Sequence, residues 1–160
     1  MNSSLKNILL NINSGFAFFV ASIYMGIMWS LHYFWYPGWQ VLTLSNVHDH
    51  FIGPTSLATK FFTILVPLAI VACIVMVITE WRSNLRWPAI MSFLGIMGAT
   101  LVGQILIIPI NNTIAAGISS DLQLNELLTK WMMLNNWRMF ITTIMWLSML
   151  MFYTFKRNYK

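Results

Sequence analysis

Charged residues in this chain stand at the edges of long apolar runs rather than within them. Residues 7–48 carry no Asp, Glu, Lys or Arg. Nineteen uncharged residues separate Lys60 from Glu80, thirty-four separate Arg86 from Asp121, and seventeen separate Arg138 from Lys156. A helix needs about 20 apolar residues to cross a bilayer. The pattern therefore predicts an all-α protein, a bundle of four transmembrane helices near 14–36, 60–80, 87–109 and 137–156. Ser120 and Gln123 have capping-box spacing, which predicts an outer amphipathic helix extending the fourth span. Residues 1–160 read as one integral membrane domain, with no internal repeat and no linker.

Composition agrees with the pattern. Hydrophobic residues make up 58% of the chain and charged residues 8%, against about 25% charged in a soluble domain. The first apolar run is too long for a signal-peptide core and lacks a small-x-small cleavage site, so it reads as a retained span. Cys73 is the only cysteine, which rules out an intrachain disulfide. The net charge of +5 reflects Lys and Arg at membrane edges, and no basic run with interleaved aromatics points to nucleic acid.

Lys6, Arg82, Arg86, Lys156, Arg157 and Lys160 fall on one side of the four spans, and Lys60, Lys130 and Arg138 on the other. This imbalance places both termini in the cytoplasm. A site in the outer half would then face the periplasm of a bacterial inner membrane.

Polar residues inside the apolar runs carry the candidate chemistry. Trp131, Asn135, Arg138 and Thr142 are spaced i, i+4, i+7 and i+11, which sets them on one helical face. An arginine at the edge of lipid is costly unless it is paired or reaches water. Arg138 therefore either snorkels to the headgroups or forms part of a pocket. Thr100, Gln104 and Asn111 make a second stripe, suited to ligand contact or to helix–helix hydrogen bonds. Pro109 is expected to end or kink that helix. Gly95, Ala99 and Gly103 form a small-residue ladder for close helix contact. Glu80 beside Arg82 reads as a local charge pair.

His32, His48 and His50 are the three histidines, and together they suggest a shell for zinc, copper or iron. The alternative is solvent exposure of the two loop histidines, since H-x-H aims both rings one way only in an extended segment. His32, beside Trp29 and Tyr33, reads as a buried functional histidine. The twelve methionines are spread over every span and suit adaptable core contact. No nucleophile elbow, phosphate loop, H-E-x-x-H or C-x-x-C is present, so hydrolase and kinase chemistry have no support.

Pro109-x-Asn111, followed by Trp131-x3-Asn135-x2-Arg138, resembles the pattern of the small four-helix membrane family that includes the anthrone oxygenases. Gly15, Gly26 and the closing Tyr36-Pro37 of the first helix are similar as well. The resemblance covers nearly the whole chain in hydropathy and length, and about a fifth of it in specific motifs. It implies a polar pocket in the outer half of the bundle. For the named members it also implies oxidation of a phenolic anthrone to an anthraquinone by dioxygen; most relatives have no assigned reaction. Asn111, Trp131, Asn135 and Arg138 carry over as pocket residues. Gln104, Thr142, Trp29 and Tyr33 are further expected substrate contacts on the residue pattern alone, not on the resemblance. His48-Asp49-His50 has no counterpart in the pattern, which leaves a metal or a different substrate open.

Such chemistry needs a base near neutral pKa and a cation for the oxyanion. His32 is the expected base, Arg138 the oxyanion partner with Asn135 beside it, and Trp131 a stacking surface. The expected partners are the bilayer, dioxygen, an apolar aromatic substrate and a second copy of the chain. The competing expectations are a copper or iron redox enzyme and a non-catalytic membrane subunit or small-molecule binder.

Overall fold

The structure, a computed structural model, describes residues 3–158. Lys160, counted above toward orientation, lies outside them, as does the side chain of Arg157. Four helices, α1 (Ser4–Trp39), α2 (His48–Thr79), α3 (Arg86–Ala116) and α4 (Asp121–Lys156), are each long and apolar enough to span a membrane. No strand occurs among the described residues. Connections 40–47 and 117–120 lie at one end, called here the loop end. The described ends of the chain, residues 3 and 158, and connection 80–85 lie at the other.

The helices outrun the apolar runs that predicted them. Most of segment 37–59, expected as an outer loop, is helical, because α2 begins at His48. Likewise α3 passes through Pro109 and stops at Ala116, where Gly117 takes a φ of 100° that suits only glycine. Helix α4 runs unbroken past Arg138, as its stripe requires. Half of the expected box forms: Gln123 N–H donates to Ser120 Oγ at 3.2 Å, whereas Gln123 Oε1 accepts from Ser119 N–H at 3.3 Å, one residue before the cap.

Three π-helical turns explain how α1, α2 and α3 tolerate Pro37, Pro54 and Pro109, while Pro67 lies inside α2 without one. The turns span Leu31–Trp35, His48–Ile52 and Val102–Ile107. In each, the last donor reaches five residues back: Tyr36 to Leu31, Gly53 to His48, and Ile108 to Gly103. The next residue is Pro37, Pro54 or Pro109. Proline has no N–H, and its ring crowds the carbonyl four residues back; a turn widened by one residue relieves that clash. The carbonyl four residues before Pro54 belongs to His50, and the Trp39 indole N–H donates to it at 3.1 Å. Pro109 is thus absorbed into the helix by the turn before it.

Two buried clusters hold the bundle. The larger lies toward the termini and joins all four helices through Val20, Tyr24, Ala69, Met76, Ile96, Met145 and Phe152, among others. The smaller lies at the loop end around Trp39, Phe51, Ile110, Leu128 and Trp131. Helix α3 lies against α4 at the two glycines of the predicted ladder, where Gly95 faces Met145 and Gly103 faces Arg138; Gly98, outside the ladder, faces Ile141. Glu80 accepts from Ser83 Oγ at 2.8 Å, and no described ion pair joins it to Arg82; the tight turn after α2 satisfies the carboxylate locally.

Candidate functional site: a cavity around Arg138

A cavity of about 310 Å³ lies within the bundle where the two clusters meet. Tyr24, Met28, Leu31 and Trp35 of α1 line it at helical spacing. Thr55, Thr59, Phe62 and Val66 of α2 form a second wall, and Gly103, Gln104, Ile107 and Asn111 of α3 a third. Trp131, Asn135 and Arg138 supply the α4 wall. The lining is mostly apolar, with a few convergent polar groups, as small-molecule sites generally are.

Arg138 is held rather than left to snorkel. Its Nη1 donates to Asn135 Oδ1 at 2.8 Å, and its Nη2 donates to Tyr24 Oη at 2.5 Å. The guanidinium lies over the Tyr24 ring, 5.4 Å from its centroid. A Cβ placed on Gly103 would come 3.4 Å from Nη2 and 3.5 Å from Cζ, so the absent side chain leaves the slot that the guanidinium fills. Asn135, 1% exposed, completes its own bonding by donating Nδ2–H to Trp131 O at 3.1 Å.

Arg138 remains open in two respects. Arg138 Nε is buried without an acceptor, and no carboxylate forms an ion pair with Arg138 among the described residues. A half-buried cation without a counter-anion is costly, and its most favourable partner is an anionic oxygen, for which charge-assisted hydrogen bonds are roughly twice as strong as neutral ones. The Tyr24 contact comes from the neighbouring helix and fixes the fork. Tyr24→Phe is expected to weaken binding of an anionic ligand by about three- to tenfold, the value of one such bond. Equilibrium titration of the variant in nanodiscs measures this; unchanged affinity would mean that Tyr24 only fills space.

Asn111 and Trp131 meet as the expected pocket residues, with the Trp131 indole N–H donating to Asn111 Oδ1 at 2.7 Å. Trp131 also packs edge-on against Trp39 and Phe51, each centroid 5.2 Å away, and Trp39 lies 5.0 Å from Phe51. All three rings are buried. This triad is a roof between the cavity and the loop end.

Other predicted members lie elsewhere. His32 does not face Arg138. Its Nδ1 is 2.9 Å from Asn136 Oδ1, and it lines a separate polar groove with Gln40, Asn125 and Thr129. The reason is helical phase: His32 shares the Trp29–Tyr33–Tyr36 side of α1, whereas Tyr24, Met28, Leu31 and Trp35 face the cavity. Trp29 and Tyr33 stack on each other outside the cavity, and Trp29 donates to Thr143 Oγ1 at 2.9 Å. Thr142 is fully buried but donates to Met139 O at 3.1 Å and does not line the cavity.

The three histidines do not converge. His48 and His50 stand in a π turn at the start of α2, where alternate residues diverge, and His48 sits exposed beside Asp49 at 3.1 Å. Among the described residues, no three His, Cys, Asp or Glu lie close enough to hold a metal ion. The donor set expected for zinc, copper or iron is therefore not assembled within this chain. Sequence reasoning missed Tyr24, Gly103, Trp39 and the α2 wall. A tyrosine in mid-span carries a polar tip that needs a partner, which was a usable signal for Tyr24. Comparison with protein-family models, curated proteins and solved structures finds no match for the chain.

Proposed function

We propose that this protein binds, within the membrane, an apolar planar molecule bearing one anionic oxygen, and that it is an oxidoreductase of the anthrone-oxygenase type acting on that molecule. The observation that carries the reading is the Arg138 guanidinium, fixed by Asn135 and Tyr24, lining an apolar cavity with no carboxylate paired to it. Trp131 offers a flat surface in the same cavity. The resemblance of the Asn111, Trp131, Asn135 and Arg138 pattern to that family supplies the reaction class.

The lining contains no His, Asp, Glu, Lys or Cys, which removes His32 from the role of base. The chemistry then falls to a substrate acidic enough to ionise in the field of Arg138, a phenol or the enol of an anthrone. Its proton leaves to water or headgroups as the anion binds. The electron-rich carbon of the enolate reduces dioxygen. In the net reaction a ring CH2 becomes C=O, one oxygen atom of dioxygen enters the product, and the other leaves as water.

The same absence of a base favours a second reading, a non-catalytic binder of the same class of anion. An oxygen electrode and absorbance of 1,8-dihydroxyanthrone in proteoliposomes separate the two. The oxygenase is expected to form one quinone per dioxygen at least about tenfold faster than protein-free vesicles, the small end of what positioning and charge stabilisation give. Saturable binding with no acceleration makes it a binder. No saturable binding sinks both readings.

A further inference from the structure

Water and lipid do not have equal access to the cavity. Toward the loop end the roof of Trp39, Phe51 and Trp131 is closed, and two of its indoles are pinned by hydrogen bonds, Trp39 to His50 O and Trp131 to Asn111 Oδ1. Toward the termini, Tyr24, Met28 and Val66 close the floor as buried residues. The side between α2 and α3 differs. These helices pack together below the cavity, and α3 again meets the first turn of α2 above it, but they part along the π turn Val102–Ile107. The cavity residues that border this gap, Thr63 on α2 and Gln104 on α3, are exposed. They are polar, where the surrounding lipid-facing positions carry Ile64, Ile105 and Leu106.

Gln104 sharpens the point. It follows Gly103, which holds the Arg138 slot, and its amide has no hydrogen-bond partner among the described residues. An amide facing hydrocarbon without a partner is expensive. A polar group that passes or rests beside it removes that cost.

We propose that the cavity is loaded sideways from the bilayer through a window between α2 and α3, with Thr63 as its sill and Gln104 as the residue that meets the ligand's oxygen on its way to Arg138. The proposal rests on the reading that Arg138 holds an anionic oxygen. It restricts substrates to molecules that partition into lipid.

Stopped-flow quenching of tryptophan fluorescence by 1,8-dihydroxyanthraquinone, a stable relative of the anthrone, tests this with the full chain in nanodiscs. Thr63→Phe, checked for helix content, narrows the window without touching the Arg138 hydrogen bonds. It is expected to slow association and dissociation together by about tenfold and leave Kd unchanged, as a barrier to passage does. Ala58→Phe, about 140° around α2 on the α1 side, is the control and is expected to leave both rates unchanged. Gln104→Leu is expected to slow association about threefold, the worth of one weak membrane hydrogen bond. Association unchanged in Thr63→Phe, or slowed equally in Ala58→Phe, overturns the window, and so does a raised Kd with unchanged association. Arg138→Gln is the separate arm: it is expected to raise Kd through faster dissociation. If it does not, the anion reading fails whatever the window variants do.

Discussion

Arg138→Gln is expected to raise the Kd of 1,8-dihydroxyanthraquinone by about a hundredfold while the bundle stays folded. The magnitude follows from losing a charge-assisted bond to an anion in a site shielded from water. The effect on stability should be small, because the wild-type side chain is a half-buried cation with no carboxylate paired to it. Removing such a charge relieves a desolvation cost that offsets the lost bonds to Asn135 and Tyr24. Arg138→Lys keeps the charge but not the fork. It cannot hold Asn135 and Tyr24 together while facing a ligand, and should still lose about tenfold. Isothermal titration together with a thermal melt checks both halves. A variant that binds normally, or one that binds poorly only because it unfolds, would make Arg138 a structural residue.

Gly95→Ala is expected to give the largest loss of stability from a single added methyl. Its Cβ would lie 2.7 Å from Met145 Cβ and 3.3 Å from Met145 Cα, distances that force α3 and α4 apart. Overpacking of this kind costs about 1–3 kcal/mol. Because the clash is with Cβ and the backbone, Met145→Ala should not relieve it, whereas Met145→Gly should recover part of the loss. Gly26 provides the control, since nothing lies within 4 Å of its added Cβ. Gly26→Ala should be neutral or stabilise by up to about 1 kcal/mol, the helical preference for alanine. Melting curves of the variants in detergent give the comparison. Equal behaviour of the two alanine variants would show that the close contact at Gly95 is not what sets the helix spacing.

The four spans were legible because a chain can place so few charges in lipid that their absence marks each helix. The ends were not. His48–Thr59 and Ile110–Ala116 continue the helices past the predicted spans, because Pro54 and Pro109, which normally stop a helix, are accommodated by π turns. Asn135 and Arg138 were legible as neighbours because three residues on one helix fix their proximity. Tyr24 was not, being 114 residues away. His32 was misplaced because both sides of α1 are rich in large aromatic residues. A rotation of one residue, about 100°, separates the side facing the cavity from the side carrying His32, and hydrophobicity alone does not distinguish them. The stripe Thr100, Gln104, Asn111 assumed an unbroken period across residues 102–107; the helix gains a residue there, and all three still line the cavity.

That extra residue has a wider effect. Each π turn shifts the phase of everything beyond it relative to the helix before it, and three of the four helices make the shift next to the cavity. Side chains at the loop end therefore answer to a different angular register from those near the termini. The chain behaves as two bundles sharing the same backbones: one whose small and large residues lock the helices together, and one whose rings and amides shape a chamber. Substitutions in the chamber can repack its walls without rotating the foundation beneath it.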